Sequence, residues 1–118
     1  MLEYVSKCYL LINGQEEVHF KSFKEMEREV RAQVPLMHTT GFTRKTVRHV
    51  VEVEYAVPTT GKRDWEAIEG ATLVVEDDGG DRTLYTGVAT LKVGEVTRDG
   101  DNAAMQTITL GASDRKLE

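Results

Sequence analysis

The clearest pattern in the sequence is an alternation of apolar and mostly polar residues between Thr46 and Val57. Valine, histidine and tyrosine occupy every second position from Val47 onward, and charged residues fill most positions between them. A period of two places alternate side chains on opposite faces of a strand, and the β-branched content favours the same structure. The pattern predicts one long strand over Thr46–Val57.

A second signal is the dipeptide Asn13-Gly14, which separates the runs Tyr9–Ile12 and Gln15–Phe20. Both residues tolerate the positive φ that a type I′ turn requires, and Asn-Gly between two such runs is the strongest short signal for a hairpin. The sequence therefore predicts a β-hairpin here.

The segment Ser22–Val34 carries two conflicting patterns. Ser22 and Glu25 have the spacing of a capping box, and the charged residues that follow are good helix formers. Against this, mostly apolar residues occupy every second position from Met26 to Leu36, and mostly polar residues lie between them, which is the spacing of a strand. Local propensity favours a helix, and the residues alone leave both structures open. The polar stretch Met37–Lys45, which contains Gly41, is predicted to be a loop.

The rest of the chain predicts short strands separated by turns. Asp64 is expected to cap a short helix over Trp65–Glu69, with Gly70 as its left-handed stop. Gly94 is expected to mark a bulge, with pairing resuming near Glu95. The predicted strands are Thr72–Val75, Thr83–Val93 and Met105–Leu110, and the predicted turns are Glu76–Asp81 and Arg98–Asn102. This order predicts a mainly β fold, a sandwich or barrel with one short helix.

Length and charge narrow the class of protein. The chain has 118 residues, so we expect a single domain over 1–118, with 1–6 and 112–118 as extended or flexible termini. Its net charge is −5, which argues against a protein that reads nucleic acid, because such proteins neutralise phosphates with Lys and Arg. No apolar stretch approaches the roughly 20 residues that a membrane-spanning helix needs. The first residues also lack the character of a signal peptide, so we expect synthesis in a cytoplasm.

No arrangement of reactive residues predicts catalysis. Cys8 has no second cysteine to pair with, and its apolar surroundings favour an inert, buried thiol. His19, His38 and His49 lack the spacing of a zinc site, and His49 is expected to be a satisfied core residue. The acidic run Asp77–Asp81 lacks the spacing of a calcium loop and is expected to be a solvated turn. We therefore predict no catalytic residue, no metal and no cofactor.

Charged residues along the two long segments are the positive functional signal. Long strands with exposed edges tend to aggregate unless they are paired, and pairing with further copies of the same chain would give a closed ring with a polar face. The residues expected on the outer face of these segments are Glu27, Glu29, Arg31, Gln33, Arg48, Glu52 and Glu54.

The order of these motifs resembles the tail tube proteins of contractile-tailed, Mu-like bacteriophages and related prophage tails. Each motif is weak alone, and the resemblance rests on their order over most of the chain. The chain departs from longer relatives in its brief helical region around Asp64–Glu69. The resembling stretches are Tyr9–Glu16, Lys21–Glu25, Glu29–Met37 with the Gly41 loop, Val47–Tyr55 and Thr83–Val88.

The resemblance implies a structural, non-enzymatic subunit whose four-stranded inner sheet joins those of five other copies into a homohexameric ring. Such rings stack into a tube inside a contractile sheath, and DNA passes through it during genome ejection without specific binding. The implied partners are the sheath, baseplate and tape-measure proteins, with no membrane. The implied location is the virion tail, assembled in the host bacterial cytoplasm.

The resemblance also assigns roles to residues. It favours a strand over a helix for Ser22–Val34, pairing with Thr46–Val57, and it turns the seven outer-face residues into candidates for an acidic channel lining. The candidates for contacts between rings or with the sheath are His38, Thr39, Thr40, Phe42, Arg44 and Lys45. Two alternatives stay open: a related tube protein, such as a tube initiator or a secretion-system tube, and, more distantly, a monomeric ligand-binding β-barrel.

Overall fold

The computed structural model describes residues 3–118, and antiparallel β-strands form most of this part of the chain. The mainly β class predicted from the sequence is confirmed. The elements are β1 (Cys8–Ile12), β2 (Gln15–Glu17), β3 (Phe20–Glu25), β4 (Arg31–Pro35), β5 (Thr40–Arg44), β6 (His49–Ala56), a 3-10 helix (Trp65–Ala67), β7 (Ala71–Asp77), β8 (Arg82–Val93), β9 (Thr97–Asp99), β10 (Asn102–Ala112) and β11 (Asp114–Leu117).

Strand β8 joins the two halves of the main sheet. Its first part pairs with β7 and β11, and its last part pairs with β10. The pairing with β7 shifts register around Gly87, whose φ of 62° lies in the left-handed region, so a glycine bulge bends the strand there. One half of the sheet has the order β2-β1-β7-β8-β11, and the other has the order β8-β10-β6-β3.

The hydrophobic core contains residues from both halves of the sheet. Trp65 of the 3-10 helix closes one end of the core, with its ring edge-on to Tyr55 at 5.2 Å between centroids. The strand residues of the core are Leu10, Ile12, Ala71, Leu73, Val75, Tyr85 and Val88 from one half, and Val51, Val53, Tyr55, Ile108 and Leu110 from the other. This interior is filled by side chains.

The predicted β1–β2 hairpin is confirmed. Asn13 and Gly14 adopt φ values of 51° and 81°, as a type I′ turn requires. The Asn13 side chain also accepts a hydrogen bond from the backbone N–H of Thr72 at 3.0 Å, which ties the turn to β7. The second strand is shorter than expected, because the chain leaves it at Glu17 and enters β3 at Phe20.

The segment Ser22–Val34 contains no helix, but only part of it pairs as predicted. Strand β3 pairs antiparallel with β6, as expected. Strand β4 instead pairs with β5, so the prediction of a loop over Met37–Lys45 is wrong. Threonine and phenylalanine in β5 favour a strand, and the short turn after β4 brings β5 back beside it as a local pairing partner. We call residues 26–48 the arm.

The arm continues the β3–β6 hairpin away from the core. The N–H of Met26 bonds to the carbonyl of Val50 at 2.9 Å, and that of Lys45 bonds to the carbonyl of Val30 at 3.1 Å. The radius of gyration is 17.6 Å, whereas a compact chain of this length would give about 13.5 Å. The molecule measures 63 × 38 × 27 Å along its principal axes, so the arm makes it strongly elongated.

The short helix, the bulge near Gly94 and the two termini agree with the sequence predictions only in part. The helix is a single 3-10 turn that ends before Glu69, and the Asp64 side chain makes no capping hydrogen bond, although Gly70 is left-handed with φ of 63°. One extra residue lies between Val93 and Thr97 relative to β10, which agrees with a bulge near Gly94. Of the termini, residues 1–2 lie outside the described residues, 3–7 form no regular element, and β11 occupies most of 112–118.

Candidate assembly surfaces

The first candidate surface is the face of β3, β6, β10 and β8 that points away from the core; we call it the outer face. Strand register aligns Lys24, Glu52, Thr109 and Lys92 in one row across the four strands. The adjacent row contains Ser22, Glu54 and Thr107, and the Ser22 hydroxyl donates to the Glu54 carboxylate at 3.1 Å. Residues of opposite charge lie side by side on this surface.

The sequence predicted half of this charge pattern. Glu52 and Glu54 lie together on the outer face, but Lys24 and Lys92 lie in the row of Glu52, so the charged residues of these two rows are balanced rather than acidic. Both lysines could have been found from alternation, since Lys24 follows Phe23 and Lys92 precedes Val93, and these two apolar residues pack against the core. The other five candidate lining residues, Glu27, Glu29, Arg31, Gln33 and Arg48, lie on the arm.

Leu91 belongs to the outer face and not to the core. Leu110 pairs with Thr90 and Thr109 pairs with Lys92, so Leu91 is an extra residue in β8. This bulge turns Leu91 outward, and its side chain is 63% exposed. A Cβ on Gly111 would lie 2.9 Å from a Leu91 methyl group, so the leucine packs over the glycine.

In the described part of the chain, neither edge of this half of the sheet is paired with a further strand. Strand β3 pairs with β6 on one side only. At the opposite edge, β9 pairs with β10 only and lies beyond the end of β8. Within β8, the N–H of Thr90 donates to the carbonyl of Ile68 at 3.2 Å, so the segment after the 3-10 helix covers part of this edge. Free edges carry unpaired N–H and C=O groups and can pair with strands of another chain. The outer face is therefore flanked by two potential pairing edges.

The arm is the second candidate surface, and apolar side chains cluster at its tip. Met37 is 91% exposed, and Val34, Leu36 and Phe42 are also exposed. An isolated two-stranded hairpin is marginally stable in water, so such a structure favours a partner. The six candidate contact residues are all exposed and lie on the turn of the arm, on its second strand or directly after that strand: His38, Thr39, Thr40, Phe42, Arg44 and Lys45.

The arm is also basic. Residues 26–48 contain five basic and two acidic side chains, a net charge of +3, although the whole chain carries −5. Arg31 lies directly opposite Arg44 in the β4–β5 ladder. Lys45 binds the Glu29 carboxylate at 2.6 Å, and this hydrogen bond and the lysine charge hold the pKa of Glu29 below its ordinary value.

A polar cluster surrounds the point where the arm leaves the core. Arg115 of β11 donates to the Tyr85 hydroxyl at 3.2 Å and lies 3.7 Å from the Glu25 carboxylate. The His49 ring meets the Tyr85 ring edge-on at 6.3 Å, and its buried Nδ1 has no hydrogen-bond partner in the described chain. The expectation of a satisfied histidine is therefore wrong. Burial, reinforced by the charges of Arg28 and Arg115, lowers the pKa of His49.

The third candidate surface lies at the opposite end of the core, which we call the far end. Glu17 is 4% exposed and binds the Arg63 guanidinium at 2.6 Å, while its other oxygen accepts from the backbone N–H of His19 at 2.9 Å. The backbone N–H of Arg63 donates to the Tyr55 hydroxyl at 3.1 Å. These bonds fix the loop before the 3-10 helix beside a groove of about 590 Å³.

Cys8 is half-buried, and desolvation raises the pKa of its thiol, as expected of an inert cysteine. Among residues 3–118, no group of three or more His, Cys, Asp or Glu side chains is placed to hold a metal ion. In the same part of the chain, no helix has the length and apolar character needed to cross a membrane.

No protein-family model matches the sequence, and no curated protein matches it significantly. Solved structures match the fold over nearly the whole chain. A chain of the sheath/tube terminator of the PVC extracellular contractile injection system, in its extended state, superposes with a TM-score of 0.78 at 14% identity, covering 100% of this chain and 99% of that one.

Two further structures agree. A chain of the tube-terminating cap of the anti-feeding prophage gives a TM-score of 0.74 at 13% identity, covering 100% of this chain and 93% of that one. A chain of the PVC sheath–tube complex in its extended state gives 0.73 at 11% identity, covering 95% and 88%. The chain therefore has a tail-tube-like fold, which confirms the fold that the sequence resemblance implied.

Proposed function

We propose that this chain is a structural subunit of a phage-type tail tube, in which six copies form a ring and rings stack into a channel. The observation that carries the proposal is a pair of edges without a further strand partner, β3 and β8–β9, on opposite sides of one sheet. The fold is shared with chains of contractile injection systems. Edge-to-edge pairing of six copies satisfies both edges of every copy and closes the sheet.

In this proposal the outer face lines the channel. A channel for DNA should not present a net basic groove, because phosphates would bind to it. The balanced row of Lys24, Glu52 and Lys92, with Glu54 beside it, meets that requirement through neighbouring opposite charges. The five candidate lining residues on the arm would extend the lining beyond the core of each subunit.

The arm extends away from the core of its subunit and is proposed to contact the next ring. Its exposed tip, with Met37 and Phe42, would be buried there, which stabilises a hairpin that has no cover of its own. The remaining candidate contact residues lie on the same strand or turn. Sheath, baseplate and tape-measure proteins are the proposed further partners, and DNA is proposed to pass without specific binding.

The proposed role is structural rather than enzymatic, and the proposed location is the tail of a virion assembled in a bacterial cytoplasm. The solved structures that share the fold come from sheath–tube, terminator, cap and baseplate assemblies. The ligand-barrel alternative is disfavoured because Leu10, Val53 and Ile108 are completely buried between the two halves of the sheet and fill the interior.

A second candidate function is that of a tube terminator or cap. Its support is the full-length match, with 100% of this chain and 99% of the chain from the PVC sheath/tube terminator superposed. A terminator closes a tube once, whereas a tube subunit stacks repeatedly. The two functions therefore differ in whether purified rings polymerise.

Negative-stain microscopy of the purified protein over a range of concentrations separates these functions. A tube subunit gives rings and stacked tubes that lengthen with concentration. A terminator gives single rings at every concentration. A protein that stays monomeric throughout, by microscopy and by sedimentation, would contradict both and return the ligand-barrel alternative.

A further inference from the structure

The two ends of the subunit carry opposite charges. The arm leaves the core where β3 ends at Glu25 and β6 begins at His49. At the other end of the same strands, the N–H of Ala56 bonds to the carbonyl of His19 at 2.8 Å and that of Val57 bonds to Ala104 at 2.9 Å. The segments of this far end, 15–19, 57–70 and 97–102, contain seven acidic and three basic residues, a net charge of −4 against +3 for the arm.

The groove at the far end has the chemistry that complements the arm. Three acidic side chains of its lining, Glu16, Asp64 and Glu69, are exposed and form no ion pair within the described chain, and they outnumber its exposed basic residue, Lys62. Exposed Val18 lies beside them on the short loop after β2, and half-buried Ile68 adds further apolar surface. The groove therefore combines acidic groups with apolar surface, as the arm combines basic groups with an apolar tip.

The arginine pair on the arm also calls for an acidic partner. Like charges directly opposite each other in a ladder destabilise a hairpin, and Arg31 and Arg44 occupy such a position. Carboxylates from a neighbouring molecule would neutralise the two arginines, and a carboxylate that binds both would replace their repulsion with attraction. Within the described chain, the arm's own ion pair is Lys45 with Glu29, which leaves both arginines available.

We infer that the basic arm of one copy docks into the acidic groove at the far end of a second copy, with Arg31 and Arg44 facing Glu16 and Glu69. The inference rests on the proposed function and names the two surfaces that meet between stacked rings. Because the arm and the groove lie at opposite ends, the contact repeats from copy to copy in one direction. Such a head-to-tail contact generates an open-ended stack.

Charge exchange tests the inference. The arm reversal Arg31→Glu/Arg44→Glu and the groove reversal Glu16→Lys/Glu69→Lys should each raise the concentration needed for tube formation about tenfold or more, because like charges then meet across the contact. Combining all four substitutions keeps the net charge at −5 and should restore tubes near the parent concentration. Glu17, which also lines the groove, is kept in all of these variants because it forms the buried ion pair with Arg63.

The matched control is Asp78→Lys/Asp81→Lys in the β7–β8 turn, which changes the charge as the groove reversal does but lies away from the far end. It should leave tube formation unchanged. If the parent forms tubes but the arm reversal has no effect, or the combined variant does not recover, the docking inference fails and the tube function stands. If the parent forms only single rings, the docking inference is wrong and the terminator function is supported. A parent that forms neither overturns both.

Discussion

Arg31 and Arg44 are direct cross-strand partners in the β4–β5 ladder of the arm. Two like charges in this position repel each other, at a cost on the order of 0.2–1 kcal/mol to a hairpin. The arm is thus less stable alone than its strand-forming residues would allow. The structure places this repulsion on a segment whose side chains are exposed and whose proposed partner is acidic.

The substitution Arg44→Glu should therefore stabilise the arm of the monomer while weakening assembly. The introduced carboxylate would face Arg31 and form an attractive pair, so backbone amides of β4 and β5 should exchange hydrogen more slowly with solvent. Hydrogen exchange below the assembly concentration measures this effect. Arg44→Gln, which removes the repulsion without adding attraction, should give an intermediate rate. Equal exchange in all three proteins would show that the arginine pair does not destabilise the arm.

The buried ion pair at the far end should dominate local stability. Glu17→Ala leaves the largely buried Arg63 without its carboxylate, and breaking such a pair costs about 3 kcal/mol or more. Chemical denaturation measures the loss. The matched control is Glu76→Ala, which removes a more exposed pair with Arg82 at 3.4 Å and should cost less than about 1 kcal/mol. Similar losses for both variants would contradict the account of the Glu17 site.

His49 should make the fold less stable in acid. Its folded pKa lies below the ordinary value of 6.5, because burial and the charges of Arg28 and Arg115 disfavour the imidazolium, although Asp114 acts in the opposite direction. The unfolded chain therefore binds a proton first as the pH falls below about 6.5. The free energy of unfolding decreases from there until the pH passes the folded pKa.

Denaturation of the parent and of His49→Gln across this pH range tests the assignment. The variant should lose the part of the pH dependence that begins near 6.5, while the same substitution at exposed His38 should leave it in place. Identical pH profiles for the parent and His49→Gln would exclude His49 as the cause.

Charge reversal on the outer face should make assembled tubes retain DNA. Glu52→Lys/Glu54→Lys would place four lysines on the face of each subunit, with Lys24 and Lys92 already there. Their phosphate contacts should weaken as salt is added, because counterions compete for them. Co-sedimentation of tubes with short DNA at several salt concentrations measures the effect. Asp78→Lys/Asp81→Lys tubes provide a control of equal charge, and equal retention by both variants would contradict the channel assignment.

The sequence predicted the elements whose pattern is local. The alternation in Thr46–Val57 and the Asn13-Gly14 turn gave β6 and the first hairpin, because a period of two and a type I′ turn are properties of neighbouring residues. The arm was predicted only in part. Helix-forming residues over 24–29 competed with the alternation, and the pairing of β4 with β5 depends on the turn at 36–39 that joins them.

Side-chain positions that depend on strand register or on distant contacts could not be predicted from the sequence. Leu91 has the periodicity of a core residue, but a bulge in β8 turns it outward. The orphan nitrogen of His49 likewise depends on how its ring packs against Tyr85 of β8, a contact between residues distant along the chain.

Cryo-electron microscopy of the assembled protein tests the proposed ring. We expect a six-fold ring in which β3 of each copy pairs with the β8–β9 edge of its neighbour, with Glu52 and Lys92 facing the channel. Hydrogen exchange of the same sample should show new protection at Phe20–Glu25 on assembly. Particles in which these edges stay unpaired, or a protein that remains monomeric at every concentration, would contradict it.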